Sequence, residues 1–298
     1  MILREALQST TQTLCRAGIA DASVEAELLL GYVLEMSKTQ LYSKPETGLT
    51  PADTEHLRYL VRRRLGHEPA AYILGHWEFY GIDFYSDYRT FIPRPETELL
   101  VEEAVELAHC IAHAGKQITI ADVGTGCGAI AISLALALPR AKIYATDISA
   151  SALQVAGINC WRHGVKGQVE LLQGDLLEPL PQQVDMIVAN LPYIRSCELK
   201  DLAPEIVNFE PTIALVGGKD GLDKIQQMLE QMPVKPSTHG GGCSACFLLE
   251  IGQGQGEMVV SLIKSYFPEA SIELISDLGG VERIAKVELW ERKSVSKA

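Results

Sequence analysis

From residue 118 onward, short apolar runs alternate with segments of helical period, and few architectures accommodate that order. Residues 118–123, 142–147, 169–173 and 184–189 read as short buried strands, with helices over 129–138 and 149–163. Strands separated by helices predict a parallel sheet with right-handed crossovers. The pattern continues with a helix over 220–232, a strand over 246–251 and a helix over 256–267. The end differs: residues 271–276 and 284–290 flank Asp277-Leu-Gly-Gly280, which predicts an antiparallel hairpin. The expected fold is α/β, a mostly parallel sheet finished by that hairpin, which is not the usual dinucleotide-binding layout.

Residues 1–75 carry helical period instead. Leu3, Leu7, Leu14 and Ala17 recur along one face before Gly18 ends the run. Ser23 is placed to cap a second helix that would bury Val24, Leu28, Leu29, Tyr32 and Val33. Thr50-Pro51 offers a cap followed by proline at the first helical position, with Leu57, Leu60, Val61 and Leu65 facing inward. Arg58, Arg62, Arg63 and Arg64 fall on or near the outer side of that helix. A solvated face is the default there, and a docking surface for an acidic protein or RNA is the functional alternative. Alternating aromatics between glycines then suggest a β-hairpin, and Pro95 opens a helix carrying Leu99, Leu100, Val101, Val105 and Leu107. Three parts are expected: a helical recognition domain over 1–75, a hairpin linker over 76–91 and a larger domain over 92–298.

Composition narrows the possible functions. The 298 residues are 47% apolar and 21% charged, which suits a soluble protein with a sizeable core. A net charge of −12 argues against nucleic acid as the main substrate, because its phosphates favour a basic surface. The N-terminal stretch lacks an apolar core of signal-peptide length, and no segment approaches the roughly 20 apolar residues of a membrane helix. Seven dispersed cysteines point to reduced thiols in a cytosolic compartment. Cys243-Ser-Ala-Cys246 with His239 offers three ligands at most and sits where a strand begins, so neither a metal nor redox chemistry is expected. Gly240-Gly-Gly242 reads as a short flexible tip.

Asp122-Val-Gly124-Thr125-Gly126-Cys127-Gly128 follows a predicted strand and opens a predicted helix. Glycines let backbone approach a ligand closely, and a helix start presents unpaired N–H groups. With Ala129 in place of the last glycine, the loop also satisfies the dinucleotide pattern. Asp147 ends the next strand, where a carboxylate can hold the ribose hydroxyls of either cofactor type. Loop and Asp147 together specify an adenosine-containing ligand without saying which. Asp175 follows the third strand and can accept from an adenine amino group, with Leu176 beside the ring. No His, Lys or Tyr-Lys arrangement suited to hydride transfer is evident, and Asp122 suits a cationic ligand better than a pyrophosphate. S-adenosylmethionine, with its sulfonium and ammonium, is therefore favoured.

The fourth strand runs straight into Asn190-Leu191-Pro192-Tyr193, at the carboxyl edge where reacting groups of such sheets gather. Asn190 donates and accepts but cannot ionise, Pro192 restricts Leu191 to extended backbone, and Tyr193 offers a flat face with a polar tip. The Asn190 side-chain oxygen and the Leu191 carbonyl can each accept one hydrogen of a planar NH2 group. An ordinary strand-to-turn exit would use similar residues, so the neighbouring motifs decide between the two.

Those neighbours are Arg64-Leu-Gly-His-Glu-Pro69, Tyr72-Ile-Leu-Gly75, Phe91-Ile-Pro-Arg-Pro-Glu-Thr-Glu98, the glycine loop, Glu210-Pro211, Gly217-Gly-Lys-Asp-Gly221 and Leu249-Glu-Ile-Gly252-Gln-Gly-Gln-Gly256. With them, nearly the whole chain resembles the protein-(glutamine-N5) methyltransferases that modify peptide chain release factors. The family's usual motif is Asn-Pro-Pro-Tyr, so Leu191 is a departure that keeps the backbone carbonyl and loses one proline restraint. The resemblance implies an N-terminal helical bundle that grips the release factor, followed by a class I methyltransferase domain of Rossmann-like build. It implies that Asn190, Leu191, Pro192 and Tyr193 form the slot for the glutamine amide. Gly124, Thr125, Gly126, Cys127, Gly128, Asp147, Asp175, Leu176 and Asn190 would bind S-adenosylmethionine. The implied substrate is the glutamine of a release factor GGQ motif, modified by a cytoplasmic monomer with no membrane and no direct nucleic-acid substrate. An adenine-N6 nucleic-acid methyltransferase is the alternative, since an exocyclic amine fits the same slot. A non-catalytic cofactor-binding scaffold and a nicotinamide oxidoreductase stand further off.

Overall fold

The computed structural model describes residues 1–111, 117–232 and 243–290, and the chain divides into two units. One comprises Met1–His76 with Ala203–Phe209, and the other Trp77–Leu202 with the chain from Glu210 onward. His239 and the 240–242 tip lie outside the described residues, as does the side chain of Cys243. Among the described residues no helix is long and apolar enough to cross a membrane.

The first unit holds α1 (Leu3–Arg16), α2 (Ala22–Leu34), α3 (Lys38–Ser43), α4 (Pro51–Leu65) and α5 (Ala70–Leu74). Helix α4 starts where the sequence indicates. Thr50 Oγ1 accepts from the Asp53 amide at 3.1 Å and Asp53 returns a bond to the Thr50 amide at 2.8 Å, with Pro51 opening the helix. Leu3, Leu14, Leu29, Leu30, Leu57 and Leu60 make the core.

Four expectations fail here. Helix α2 starts at Ala22 after Asp21, so Ser23 is not its cap. Its buried stripe runs through Ala22, Ala26, Leu29 and Leu30, leaving Val24, Leu28 and Tyr32 exposed and Val33 half-buried. The small residues let the helices close on that side, and the larger apolar ones turn outward. Leu65 is likewise exposed. The arginine cluster splits: Arg58 and Arg62 are exposed and Arg63 half-buried, whereas Arg64 is only 2% exposed. Its guanidinium grips Glu25 through Nε at 2.5 Å and Nη2 at 3.0 Å, and reaches Glu205 at 3.3 Å in the helical segment 204–209. A planar fork facing a carboxylate is the geometry that makes a buried arginine tolerable.

In the second unit, β1 (His76–Phe79) and β2 (Ile82–Tyr85) form a hairpin whose turn residues Tyr80 and Gly81 have φ of 54° and 70°. Two positive φ values give the turn whose twist matches its strands. The hairpin packs on a helix through Asn159, whose side chain accepts from the Tyr85 amide at 2.8 Å and donates to the Tyr85 carbonyl at 3.0 Å. A short helical turn at Pro95–Thr97 leads into α6 (Glu98–Ile111).

The strands that follow are β3 (Thr119–Val123), β4 (Lys142–Asp147), β5 (Val169–Gln173), β6 (Met186–Ala189), β7 (Cys243–Glu250), β8 (Ser271–Ser276) and β9 (Glu282–Trp290). Between them lie α7 (Ala129–Ala137), α8 (Ala150–Arg162), α9 (Pro204–Phe209, the segment counted with the first unit), α10 (Asp223–Gln231) and α11 (Gly256–Tyr266). The strands form one seven-stranded sheet in the order β5-β4-β3-β6-β7-β9-β8. Pairing is parallel from β5 to β7, and β9 runs antiparallel between β7 and β8. The parallel sheet with its terminal hairpin is the fold the alternation predicts, although β7 starts earlier and α10 is shorter than expected.

The central strands are buried on both faces, which is why they read as continuous apolar runs. Along β6, Met186 and Val188 enter one core with α6, α7 and α8, while Ile187 and Ala189 enter the other with α10 and α11. The chain leaves β3 toward β4 and β5, then returns to β6 on the other side of β3. That reversal opens a crevice between the carboxyl ends of β3 and β6.

Candidate active site

The crevice is a cleft of about 1250 Å³ including its open mouth, lined by the loops after β3, β4, β5 and β6 and by the segments 89–93 and 211–215. Gly124, Thr125, Gly126 and Cys127 form its floor, and Gly128 turns behind it into α7. A Cβ on Gly128 would meet Ile132 at 3.0 Å and Ala156 at 3.3 Å, at a φ of +85°. Glycine there lets α7 and α8 close under the loop. The loop is tied down from outside: the amides of Gly124 and Thr125 both donate to the Thr146 carbonyl at 2.9 Å. Asn159 donates to the Cys127 carbonyl at 2.9 Å, linking the loop to the hairpin.

Asp147 stands at the end of β4 and accepts from the Gly126 amide at 2.9 Å and the Ser149 amide at 2.8 Å. Burial pushes its carboxyl above the ordinary range, opposed by those two bonds. Asp175 and Leu176 line the same end, with Lys224 Nζ 3.7 Å from the Asp175 carboxylate. Leu176 is held at φ 53° while its carbonyl accepts from the Thr146 hydroxyl at 2.8 Å.

Asp122 departs from the sequence reading. It does not line the cleft, is fully buried, and accepts from the Thr125 hydroxyl at 2.6 Å and the Ala131 amide at 3.0 Å. Its work is to brace the loop against α7. Burial pushes its carboxyl up to about 7 despite those bonds.

Asn190, Leu191, Pro192 and Tyr193 all face the cleft. Asn190 Nδ2 donates to Thr97 Oγ1 at 3.0 Å. Tyr193 donates its hydroxyl to Glu250 Oε1 at 3.2 Å, and burial together with the Glu250 charge pushes the phenol up, so the ring stays neutral. Leu191 is buried, its Cδ2 3.4 Å from where a Cβ on Gly124 would sit, so the departing residue fills space beside the loop. The backbone beneath these residues is clamped. Gln255 donates to the Tyr193 carbonyl at 3.0 Å, and the Gly217 amide donates to the Ile194 carbonyl at 2.9 Å. A Cβ on Gly217 would lie 2.3 Å from the Pro192 carbonyl oxygen, and one on Gly221 2.2 Å from that of Tyr193. The glycines of 217–221 are therefore required by close approach.

Every site residue proposed from the sequence except Asp122 and Gly128 lines this one cleft. Arg89, Phe91, Pro93, Ile213 and Lys224 also line it, and Thr97 and Glu250 back it; none of these had been given a role. For Phe91, Pro93, Thr97 and Glu250 the only signal was membership of the 91–98 and 249–256 motifs, and Arg89, Ile213 and Lys224 had none. Arg94 pairs with buried Glu210, which also accepts from the Ile92 amide at 3.2 Å, so the first of those motifs is pinned to Glu210-Pro211.

A mostly parallel seven-stranded sheet with β9 inserted antiparallel before β8, and a glycine-floored cleft at its switch point, define a class I methyltransferase. Residues 5–75 match the family model described as the PrmC N-terminal domain, and residues 97–211 that of the methyltransferase small domain. The chain is 40% identical to the release factor glutamine methyltransferase of Moorella thermoacetica, over 95% of this chain and 97% of that one. It is 37% identical to that of Koribacter versatilis with the same coverage. The catalytic domain of human Mettl16, solved with the MAT2A 3′UTR hairpin 6, shares the fold at a TM-score of 0.54 and 13% identity, over 75% of this chain and 82% of that one. The chain belongs to the release factor glutamine methyltransferase family.

Proposed function

We propose that the chain methylates the side-chain amide nitrogen of the glutamine in a release factor GGQ motif, using S-adenosylmethionine. One observation carries this reading: Asn190 has its NH2 engaged by Thr97 on the wall of the cleft that the glycine loop and Asp147 also line. Its other end, the side-chain oxygen, is an acceptor suited to an N–H.

The donor set fits the cofactor. Asp147 suits ribose hydroxyls, Asp175 an adenine amino group, and Leu176, Ile148 and Ala152 supply apolar surface at the same end of the cleft. S-adenosylmethionine, when bound, supplies an electrophilic methyl carbon. The chain's residues do the rest. Asn190 Oδ1 and the Leu191 carbonyl accept the two amide hydrogens, and Tyr193 packs on the glutamine plane. An amide nitrogen is a poor nucleophile because its lone pair is delocalised, and accepting both hydrogens returns density to it and fixes its direction. Each bond contributes only about 0.5–1.5 kcal/mol, whereas alignment can supply roughly 7–11 kcal/mol. The proton lost after transfer can leave to solvent, so no base is needed. The N-terminal helical unit is the grip on the release factor, and the cytoplasm is the compartment, a reading supported by free thiols at Cys127 and Cys160.

Mass spectrometry of release factors incubated with enzyme and methyl donor tests this directly; one added methyl on the GGQ glutamine is expected. Asn190→Ala should lose at least about 100-fold in turnover while still binding the cofactor. Normal turnover by that variant, or label found in DNA or RNA and not in protein, would overturn the proposal.

A further inference from the structure

We infer that a groove between α1 and α4 of the N-terminal unit docks an acidic segment of the release factor, with Arg58 and Arg62 as its ionic anchors. The inference rests on the reading of that unit as the grip on the release factor, and it names the surface that grips and the chemistry it takes. The groove holds about 670 Å³ including its open mouth. Leu57 and Val61 give it an apolar lining, which Leu65, 38% exposed, continues outward. Arg58 and Arg62 line its α4 side one helical turn apart, both exposed.

Charge singles these two out. The chain carries a net charge of −12, yet no acidic residue lines this groove. The next two arginines of the helix are committed, Arg63 to Glu68 and Arg64 to Glu25 and Glu205. Arg58 and Arg62 have no acidic partner among the described residues. Two guanidiniums beside apolar surface complement carboxylates that flank an apolar side chain. The hydroxyls of the groove give a second, independent observation. Those of Ser9, Thr13 and Thr54 donate to carbonyls of the preceding turn, of Ala6 at 3.1 Å, Ser9 at 2.7 Å and Thr50 at 3.0 Å. Thr10 is only 5% exposed and lines the groove, and its hydroxyl makes no bond among the described residues. A carboxylate or peptide group of a docked segment completes it, as buried polar groups require. RNA fits less well: no aromatic residue lines the groove for bases to stack on, and the net charge opposes phosphate.

Steady-state methylation of an intact release factor by the full chain, with KM and kcat read separately, tests it. Arg58→Glu/Arg62→Glu should raise KM at least about tenfold with kcat within about twofold of wild type, since these charges meet the partner and not the reacting groups. Wild-type KM should rise between about 50 and 500 mM salt, and less steeply in that variant. Arg58→Gln/Arg62→Gln removes charge without reversing it; it should raise KM roughly three- to tenfold, and it decides if the reversed variant does not fold. Arg140→Glu/Lys166→Glu makes the same charge change on exposed residues of the other unit and should leave KM unmoved. The inference is overturned by KM within about twofold of wild type in the folded arginine variants, by an equal rise in the control pair, or by a fall in kcat alone. RNA that binds wild type but not the variant, with release-factor KM unmoved, overturns it in favour of a nucleic-acid surface. No methylation of release factor by wild type would remove the function itself, whereas methylation with unmoved KM removes only the docking groove.

Discussion

Replacing Gly221 by alanine asks how tightly the backbone under Tyr193 is held. Gly221 has φ +78°, and an added Cβ would lie 2.2 Å from the Tyr193 carbonyl oxygen and 2.5 Å from Gln255 Nε2. Ordinary contact begins at 3.4 Å, so something must yield by about 1.2 Å (3.4 − 2.2). The Gln255 bond to that same carbonyl, 3.0 Å long, lies in the path. A left-handed alanine costs about 1 kcal/mol and overpacking about 1–3 kcal/mol more, giving a stability loss of about 2–4 kcal/mol. A displacement near 1 Å in a group that positions substrate costs roughly 100-fold in rate. Gly221→Ala should therefore lower kcat on a release factor by that factor. Cofactor affinity should hold, because the glycine loop is anchored independently to Thr146 and Asp147. Gly280→Ala is the control: its φ is +77° and nothing lies within 4 Å of its Cβ, so it carries the conformational cost alone. Urea unfolding and steady-state methyl transfer on both variants give the answer. Gly221→Ala turning over within threefold of wild type, and destabilised no more than Gly280→Ala, would refute the rigid-backbone account.

Two further predictions concern stability. Asp122 is pushed up to about 7 when folded, chiefly by burial, against an ordinary value of 3.8. A carboxyl raised on folding favours the native state fully below its unfolded value, and that contribution is lost as pH rises toward the folded one. Wild type should thus lose up to about 1.4 kcal/mol per pH unit between pH 5 and 7 relative to Asp122→Asn, with the difference levelling off above pH 8. Parallel melting curves for the two proteins across that window would disprove it. Arg64→Met strips Glu25 and Glu205 of their buried partner, and unfolding free energy should fall by about 2–4 kcal/mol, at the lower end because Glu205 is 32% exposed. An unchanged urea midpoint would show that the ion pair contributes nothing.

The strands near the site were legible because each central strand is buried on both sides and punctuated by glycine or proline, as with residues 118–123 before the glycine loop. The cleft residues were legible for a related reason: strand ends at a switch point converge, so Gly124, Asp147, Asp175 and Asn190 could be placed together from chain order alone. Partners that meet across long separations were not. Arg64 looked solvent-facing because its neighbours are arginines, while Glu25 is 39 positions away and Glu205 is 141. Helix α2 misled because its apolar residues cover most of its circumference, so periodicity could not pick the stripe that α1 covers. Thr97 and Glu250 carried no signal beyond membership of their motifs, since a threonine in a short helical turn and a glutamate ending a strand are ordinary residues until their geometry is known.

The placement of titrating groups says what kind of catalyst this is. A general base would be expected as a cleft residue poised near neutrality. Asp122, which burial pushes up to about 7, is sealed beneath the loop and committed to Thr125 and Ala131. Tyr193, which does face the cleft, is driven away from neutrality by burial and by Glu250. A shifted carboxyl taken as a catalytic marker would point to the wrong residue. What the cleft shows is restraint: Gln255 and the 217–221 turn hold the Tyr193 and Pro192 carbonyls, and Thr97 holds the Asn190 amide. That is the arrangement a neutral nitrogen requires, because it gives up its proton only after gaining the methyl group, and the barrier is lowered by aligning its lone pair and not by removing a hydrogen in advance.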